Sequence, residues 1–185
     1  MRKLTLANQL TLLRIILIPA FVLLVVYGRL GGALVVFIVA GVTDALDGLI
    51  ARLAGQGTSL GAWLDPMSDK LLLVSTFIVL TVPGIQLTNH LPLWLTVAMI
   101  SRDIVIVGVV AIVNLAIGPR TFRPSILGKM ATATFILTSV AIMFFNYRHE
   151  TSVIVEIGIW TSLGLTLVSS ADYFLKLRHL INEPG

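Results

Sequence analysis

Six apolar stretches run along the chain, separated by short segments that hold most of its polar residues. Their limits are approximately residues 10–27, 31–50, 71–82, 92–117, 126–145 and 152–175. A helix needs about 20 apolar residues to cross a hydrocarbon core about 30 Å thick. The third stretch reaches that length only when it is extended backward to Asp65. The pattern predicts an all-α integral membrane protein with six transmembrane helices.

The composition supports this prediction and argues against other classes of protein. Of the 185 residues, 57% are hydrophobic and only 12% are charged, whereas soluble domains carry about 25% charged residues. The chain has no cysteine, which excludes disulfides and thiolate metal sites. The net charge is +4, but basic residues in a membrane protein first report topology, so we expect no nucleic-acid partner. We predict a single membrane domain over residues 1–185.

The distribution of lysine and arginine predicts that both termini are cytoplasmic. In that orientation, the outer loops contain only Arg29 and Arg148. The cytoplasmic side then holds Arg2, Lys3, Arg52, Lys70, Arg120, Arg123, Lys129, Lys176 and Arg178. We therefore expect a multi-pass protein of the cell (inner) membrane. Residues 1–9 are predicted to lie in the interface as a short helix, residues 10–175 to form the six-helix bundle, and residues 176–185 to form a cytoplasmic tail.

Four aspartates lie at the ends of apolar stretches, where an unpaired carboxylate is costly. Asp44 and Asp47 are three residues apart near the end of the second stretch, and Asp65 and Asp69 are four apart before the third. Each spacing places both carboxylates on one face of a helix. With the predicted topology, both pairs lie on the cytoplasmic side of the membrane.

Two such helix ends facing each other would form a site whose ligands are all oxygens. This donor set favours Mg²⁺ or Mn²⁺, whereas zinc prefers histidine or cysteine. The histidines, His90, His149 and His179, lie far from the aspartates in sequence. Magnesium usually also binds phosphate oxygens, and the glycines and Arg52 between the two pairs suit such a ligand. The alternative is that the four acids are ordinary loop charges paired with Arg52 and Lys70.

The aspartates also belong to a longer pattern, Asp-x2-Asp-Gly-x2-Ala-Arg-x8-Gly-x3-Asp-x3-Asp, which is complete from Asp44 to Asp69. This pattern resembles that of the CDP-alcohol phosphotransferases, which are membrane enzymes with six helices. The resemblance covers nearly the whole chain, since helix number, topology and motif position all agree. It implies that a CDP-linked lipid, usually CDP-diacylglycerol, binds with its diphosphate on the metal site. An alcohol then attacks the lipid-side phosphorus and CMP leaves.

The same resemblance implies a role for each residue of the motif. Asp44, Asp47 and Asp65 would be metal ligands for two Mg²⁺ (or Mn²⁺) ions, and Asp69 would be the general base with a further contact to metal. The implied CDP site is lined by Thr43, Asp47, Gly48, Ala51, Arg52 and Gly61. Because members of the family tend to form homodimers, we expect a homodimer here as well.

The acceptor alcohol depends on residues outside the motif. The opening segment with Asn8 and Arg14 resembles that of phosphatidylglycerophosphate synthases, although Arg14 would also fit an arginine that snorkels to the interface. Within the fourth helix, Arg102 and Asp103 mark either a functional site or a structural ion pair.

A cluster of basic residues follows the fourth helix, formed by Arg120, Arg123 and Lys129. It suits the phosphate of glycerol 3-phosphate, but lipid headgroups or the topology rule would also account for it. The segments Ser101–Asp103 and Pro124–Lys129 resemble cardiolipin synthases of the CDP-alcohol type, whose acceptor is phosphatidylglycerol. Glycerol 3-phosphate is the first candidate because the basic cluster suits a phosphorylated soluble acceptor, and phosphatidylglycerol is a close second. Inositol-phosphate, serine and choline-type acceptors are less favoured.

A protein of another class, a small transporter of divalent cations, would also place aspartates among apolar helices. A transport path would continue through the opposite half of the membrane. The four carboxylates instead cluster at one face, and no acidic line extends beyond them. The enzyme is therefore the favoured hypothesis.

Overall fold

The computed structural model describes residues 6–54, 61–117 and 125–182, and all regular structure in these ranges is helical. The six helices are α1 (Leu6–Val26), α2 (Leu30–Ala54), α3 (Gly61–Thr81), α4 (Leu93–Ile117), α5 (Ile126–Tyr147) and α6 (Val153–Asn182). The all-α prediction is confirmed. The backward extension of the third helix is confirmed too, because α3 begins at Gly61 and includes the segment with Asp65 and Asp69.

Two helix limits differ from those predicted. Residues 6–9 form the first turn of α1, so they are continuous with the first helix rather than part of a separate interfacial segment. At the other end, α6 continues to Asn182 and includes most of the predicted tail. Lysine, leucine and arginine are good helix formers, and no proline lies between Val153 and Pro184. Helix α6 therefore extends beyond its apolar part, which ends at Leu175.

Four helices within the described residues are long and apolar enough to cross a membrane. These candidate spans are Gln9–Val26, Leu93–Ile112, Ile126–Tyr147 and Val153–Leu175. The apolar part of α2 is shorter, from Leu30 to Asp44, and α3 contains Asp65, Asp69 and Lys70. Helices α2 and α3, which contain the aspartate motif, are not among these four candidate spans, so six crossings stay a prediction.

Helices α1 and α2 are joined by a tight turn that sets them antiparallel. Gly28 adopts a positive φ of 70°, which a glycine tolerates without steric cost. Its N–H donates to the carbonyl of Val25 at 3.0 Å, and the N–H of Arg29 donates to the carbonyl of Leu24 at 2.8 Å. These paired bonds satisfy the last carbonyls of α1 in a Schellman motif.

The described residues divide into two compact units. The first comprises Met1–His90 and Ile142–Thr151, and within it α1 packs against both α2 and α3. Two hydrogen bonds between asparagines connect the loop after α3 to the end of α5. The N–H of Asn89 donates to Oδ1 of Asn146 at 2.7 Å, and Nδ2 of Asn146 donates to the carbonyl of Asn89 at 2.8 Å.

The second unit comprises Leu91–Ala141 and Ser152–Gly185, and within it α4 packs against α6. Helices α5 and α6 approach closely at Gly158. A Cβ added to this glycine would lie 2.6 Å from Oγ1 of Thr138. The approach is close because glycine has no side chain, as is common where membrane helices pack together.

Candidate active site

A buried arginine on α1 joins the two helices that contain the aspartate motif. Nη2 of Arg14 forms an ion pair with Oδ1 of Asp44 on α2 at 2.8 Å. Nη1 of Arg14 donates to Oγ of Ser68 at 2.9 Å and also pairs with Oδ1 of Asp69, both on α3. One guanidinium therefore contacts a carboxylate from each half of the motif.

The arginine is buried while the carboxylates are partly exposed. The side chain of Arg14 is fully buried, whereas those of Asp44 and Asp69 are 44% and 41% exposed. The alternative in which Arg14 snorkels to the interface is therefore wrong. Hydrogen bonds between a charged donor and a charged acceptor are among the stronger ones in proteins. The guanidinium of Arg14 therefore contacts both carboxylates from inside the protein and leaves part of each exposed.

The register between α1 and α2 explains why Arg14 and Asp44 meet. Buried positions on α1 recur every three or four residues, at Thr11, Arg14, Ile18, Phe21 and Val25. On α2 they recur in the same way at Leu30, Ala33, Phe37, Ala40 and Thr43. These two stripes of mostly apolar buried residues are the seams along which α1 and α2 face each other as an antiparallel pair.

The aromatic contact in these seams fixes the register. The rings of Phe21 and Phe37 lie 5.6 Å apart between centroids. Arg14 precedes Phe21 by seven residues, and Asp44 follows Phe37 by seven, which is close to two helical turns. Because the helices are antiparallel, equal steps from the aromatic pair bring Arg14 opposite Asp44.

The remaining motif residues are placed on the same two helices. Asp47 lies one turn beyond Asp44 on α2, and Asp65 lies one turn before Asp69 on α3. At this spacing, the members of each pair share a helix face. The side chains of Asp47 and Asp65 lie outside the described residues, as do those of Ala51 and Arg52 and the surroundings of Gly48 and Gly61 in the predicted CDP site. The hydroxyl of Thr43 donates to the carbonyl of Ala40 at 2.8 Å, within α2.

The donor chemistry of this site fits a hard divalent cation. Asp44 and Asp69 supply carboxylate oxygens from two neighbouring helices. A carboxylate offers about four acceptor positions, so a bond to Arg14 and a bond to metal are compatible on the same group. Oxygen ligands of this kind are those that Mg²⁺ and Mn²⁺ prefer.

Of the predicted acceptor residues, Arg102 lies in the second unit, on α4. This side chain is only 8% exposed. Nη1 of Arg102 donates to Oδ1 of Asp103 at 3.2 Å, and Nη2 donates to Oγ of Ser169 on α6 at 2.6 Å. Its Nε is buried and finds no hydrogen-bond partner among the described residues. Both the ion pair and a contact to another helix are thus present.

Helix α5 approaches the same arginine at Gly128. A Cβ added there would lie 2.7 Å from Nη2 of Arg102. The N–H of Gly128 donates to Oγ of Ser125 at 3.0 Å, so Ser125 is the N-cap of α5. Of the predicted basic cluster, Lys129 follows Gly128 and its side chain is exposed. Arg120 and Arg123 lie outside the described residues, as does the side chain of Asn8.

Three residues of these sites have no role in the sequence-based prediction. They are Ser68 on α3, Gly128 on α5 and Ser169 on α6. A serine or glycine within an apolar helix gives no sign of which side chain it faces, so their contacts with Arg14 and Arg102 require the structure. Ser125 did offer a signal, because a serine directly before a helical segment is a typical N-cap.

Comparison with known proteins gives a consistent result. Residues 4–168 match the protein family described as CDP-alcohol phosphatidyltransferase. A probable phosphatidylglycerophosphate synthase of Mycobacterium tuberculosis is 33% identical over 92% of this chain and 80% of its own length. The CDP-diacylglycerol–glycerol-3-phosphate 3-phosphatidyltransferase of Bacillus subtilis is 31% identical over 92% of this chain and 94% of its own length.

Cardiolipin synthases are similar as well. The CMP-forming cardiolipin synthase of Homo sapiens is 33% identical over 90% of this chain and 59% of its own length. The complete aspartate motif and a family match that spans most of the sequence agree with each other. This chain belongs to the CDP-alcohol phosphatidyltransferase family.

Proposed function

We propose that the protein transfers the phosphatidyl group of CDP-diacylglycerol to a glycerol-based alcohol and releases CMP. Glycerol 3-phosphate is the first candidate acceptor, which would give phosphatidylglycerophosphate. The observation that supports the reaction most directly is the Arg14 bridge, because it brings the carboxylates of Asp44 and Asp69 from the two halves of the motif to one place. The relatives named as phosphatidylglycerophosphate synthases support the choice of acceptor.

The four aspartates would hold the metal, which we propose to be two Mg²⁺ (or Mn²⁺) ions. Asp44, Asp47 and Asp65 are the proposed ligands, with Asp69 as a further contact. When bound, such ions neutralise charge on the diphosphate and stabilise the attacking and leaving oxygens. The CDP moiety would lie against the α2 segment from Thr43 to Arg52 and against Gly61 at the start of α3.

Asp69 is the proposed general base. The acceptor hydroxyl forms a new bond to the lipid-side phosphorus, the bond from that phosphorus to the oxygen of CMP breaks, and the hydroxyl proton passes to the Asp69 carboxylate. A base must lie within hydrogen-bond reach of the proton that it removes. The carboxylate of Asp69 is 41% exposed, so it is accessible to a substrate from outside the chain.

The acceptor phosphate would be bound by Arg102 and the basic cluster of Arg120, Arg123 and Lys129. Arginine pairs well with phosphate because its planar group donates several hydrogen bonds. The buried Nε of Arg102, without a partner among the described residues, supports a polar ligand at this position. Its bonds to Asp103 and Ser169 hold the guanidinium in a fixed orientation.

Cardiolipin synthesis with phosphatidylglycerol as acceptor is the second candidate. It is supported by similar relatives that are named cardiolipin synthases, such as the putative enzyme of Mycobacterium tuberculosis, which is 36% identical over 74% of this chain and 63% of its own length. Both candidates share the donor, the metal site and the release of CMP. They differ only in the alcohol.

We further propose that all six helices cross the cell membrane, that both termini are cytoplasmic, and that the active site faces the cytoplasm. The lysine and arginine distribution supports this orientation. The small residues within the helices are compatible with the close packing of a homodimer, which is the proposed assembly.

The decisive experiment supplies purified protein with CDP-diacylglycerol and Mg²⁺ and measures CMP release. We expect release only when an acceptor is added, and a higher kcat/KM with glycerol 3-phosphate than with phosphatidylglycerol. The reverse preference would assign the protein to cardiolipin synthesis. If no CMP is released with either acceptor, the proposed enzymatic activity is wrong and a cation transporter is favoured. Uptake of Mn²⁺ into vesicles that contain the protein would then test the transporter.

A further inference from the structure

Arg14 has no assigned part in the proposed chemical step. It lies on α1, outside the aspartate motif, and is fully buried. Its terminal nitrogens nevertheless contact Asp44 on α2 and both Ser68 and Asp69 on α3. A side chain that connects three helices at the proposed metal ligands is placed to control their geometry.

We propose that Arg14 is a positioning residue, whose guanidinium orients the Asp44 and Asp69 carboxylates so that they bind the divalent cation. This inference rests on the proposed function, since it takes Asp44 as a metal ligand and Asp69 as the base. Carboxylates that bind a metal are generally held by hydrogen bonds from outside the coordination shell, and losing such a partner typically costs 10–100-fold in metal affinity or activity.

The geometry of the contacts requires an arginine. The guanidinium is a rigid plane with donors that point in fixed directions, whereas a lysine ammonium is a single point charge on a flexible stem. Nη1 and Nη2 of Arg14 contact different carboxylates. A lysine at this position would keep the charge but could not hold both groups in the same relative orientation.

Charge alone predicts the opposite effect on metal binding. A positive arginine close to a divalent cation repels it, so an arginine that acted only as a charge would weaken metal binding. Removing it would then tighten the binding. If Arg14 instead acts by orientation, removing it disorders the carboxylates and weakens the binding. The sign of the change therefore distinguishes the two roles.

The test uses the purified full-length chain in detergent and three variants at this site. Arg14→Met removes the charge and the donors, Arg14→Lys keeps the charge, and Ser68→Ala removes one acceptor without changing any charge. The matched control is Arg29→Met, because Arg29 is an exposed arginine in the turn after α1. Mn²⁺ binding is measured by electron paramagnetic resonance, and kcat and KM by CMP release.

We expect Arg14→Met and Arg14→Lys to weaken Mn²⁺ binding by about 10-fold or more and to lower kcat. Ser68→Ala should give a smaller loss in the same direction, and Arg29→Met should match the unmodified protein. Tighter Mn²⁺ binding in Arg14→Met, or unchanged binding in both Arg14→Lys and Ser68→Ala, would overturn the inference.

The design separates this inference from the proposed function and from simple unfolding. Mn²⁺ binding is read without turnover, so an inactive but metal-binding protein would contradict the phosphatidyl transfer and leave the role of Arg14 measurable. If Arg14→Met does not fold, Arg14→Lys and Ser68→Ala still decide the outcome. Thermal unfolding midpoints confirm that each variant is folded at the temperature of the binding measurement.

Discussion

The carboxylate of Asp69 is partly exposed, so a substrate can reach it, and its bond to the buried Arg14 holds it in position. Replacing it with asparagine keeps an oxygen that can accept from Arg14, so the local geometry should survive. The amide cannot take up the proton. We expect Asp69→Asn to lower CMP release by about 100-fold or more, the usual contribution of general base catalysis, while binding of CDP-lipid largely survives.

Both quantities need to be measured on the same preparation, CMP release by turnover and CDP-lipid binding by calorimetry. Glu156→Gln is a suitable control, because Glu156 is an exposed acid in the first turn of α6 and should change neither. An equal loss of binding and turnover in Asp69→Asn would indicate that Asp69 acts chiefly as a metal ligand.

Gly128 is the residue that allows α5 to lie beside Arg102. A methyl group there would lie 2.7 Å from Nη2 of Arg102, which is the far end of a flexible side chain and can move away. The move would disturb the 2.6 Å bond to Ser169. We therefore expect Gly128→Ala to raise KM for glycerol 3-phosphate several-fold. The change in KM for CDP-diacylglycerol should be small, because the proposed donor site lies on the aspartate motif of α2 and α3.

Gly164→Ala provides the matched control for this substitution. A Cβ at Gly164 meets nothing within 4 Å, and alanine favours a helix over glycine by up to about 1 kcal/mol. The control should therefore leave both KM values unchanged. An unchanged KM for glycerol 3-phosphate in Gly128→Ala would argue that Arg102 is a structural ion pair and not part of the acceptor site.

At the scale of helices, the sequence predicts the elements better than their contacts. The apolar stretches predict all six helices because each ends in a turn or a charged segment. The partners of Arg14 could not be predicted in this way, since an arginine near the end of an apolar stretch fits both snorkelling and an inward contact. A signal was present in the spacing, because Thr11 and Arg14 continue the stripe of Ile18, Phe21 and Val25.

The packing of α5 against α6 is equally specific and can be tested by a double-mutant cycle. A Cβ at Gly158 would lie 2.6, 3.1 and 3.3 Å from three side-chain atoms of Thr138, so no rotation of the threonine relieves every contact. We expect Gly158→Ala to lower the free energy of unfolding by about 1–3 kcal/mol, the usual cost of overpacking. Thermal unfolding in detergent measures the change.

The second mutation of the cycle is Thr138→Ala, which removes the two closest atoms. It also removes the hydroxyl that lies 3.4 Å from Oγ of Ser162, so alone it should destabilise slightly. The double variant should be more stable than Gly158→Ala, because residues in contact have non-additive effects. Additive losses would show that the close approach of the two helices is not what limits this position.

At the scale of the whole molecule, the proposed topology has six membrane crossings. Four helices of the described residues qualify by length and composition, whereas the distribution of charges predicts six crossings. In both arrangements the termini lie on the same side, because both numbers are even. The two arrangements differ at the segment between α2 and α3, which is cytoplasmic only if both of these helices cross.

The absence of cysteine from the sequence makes this difference directly measurable. Single cysteines at Gln56, Gln86, Thr121 and Thr151 can be labelled in intact cells with a maleimide that does not cross membranes. With six crossings, Gln86→Cys and Thr151→Cys should react at once, and Gln56→Cys and Thr121→Cys only after the cells are permeabilised. Thr121→Cys is the internal control, because it is cytoplasmic in both arrangements.

Labelling of Gln56→Cys from outside would mean that α2 and α3 do not cross, and would place the aspartate motif on the outer side. That result would also conflict with the proposed use of CDP-diacylglycerol on the cytoplasmic face. The expected protection follows from charge, since Arg52 and Lys70 flank this segment and basic residues favour the cytoplasmic side. Protection of Gln56→Cys would thus support both the six crossings and the side of the membrane on which phosphatidyl transfer is proposed.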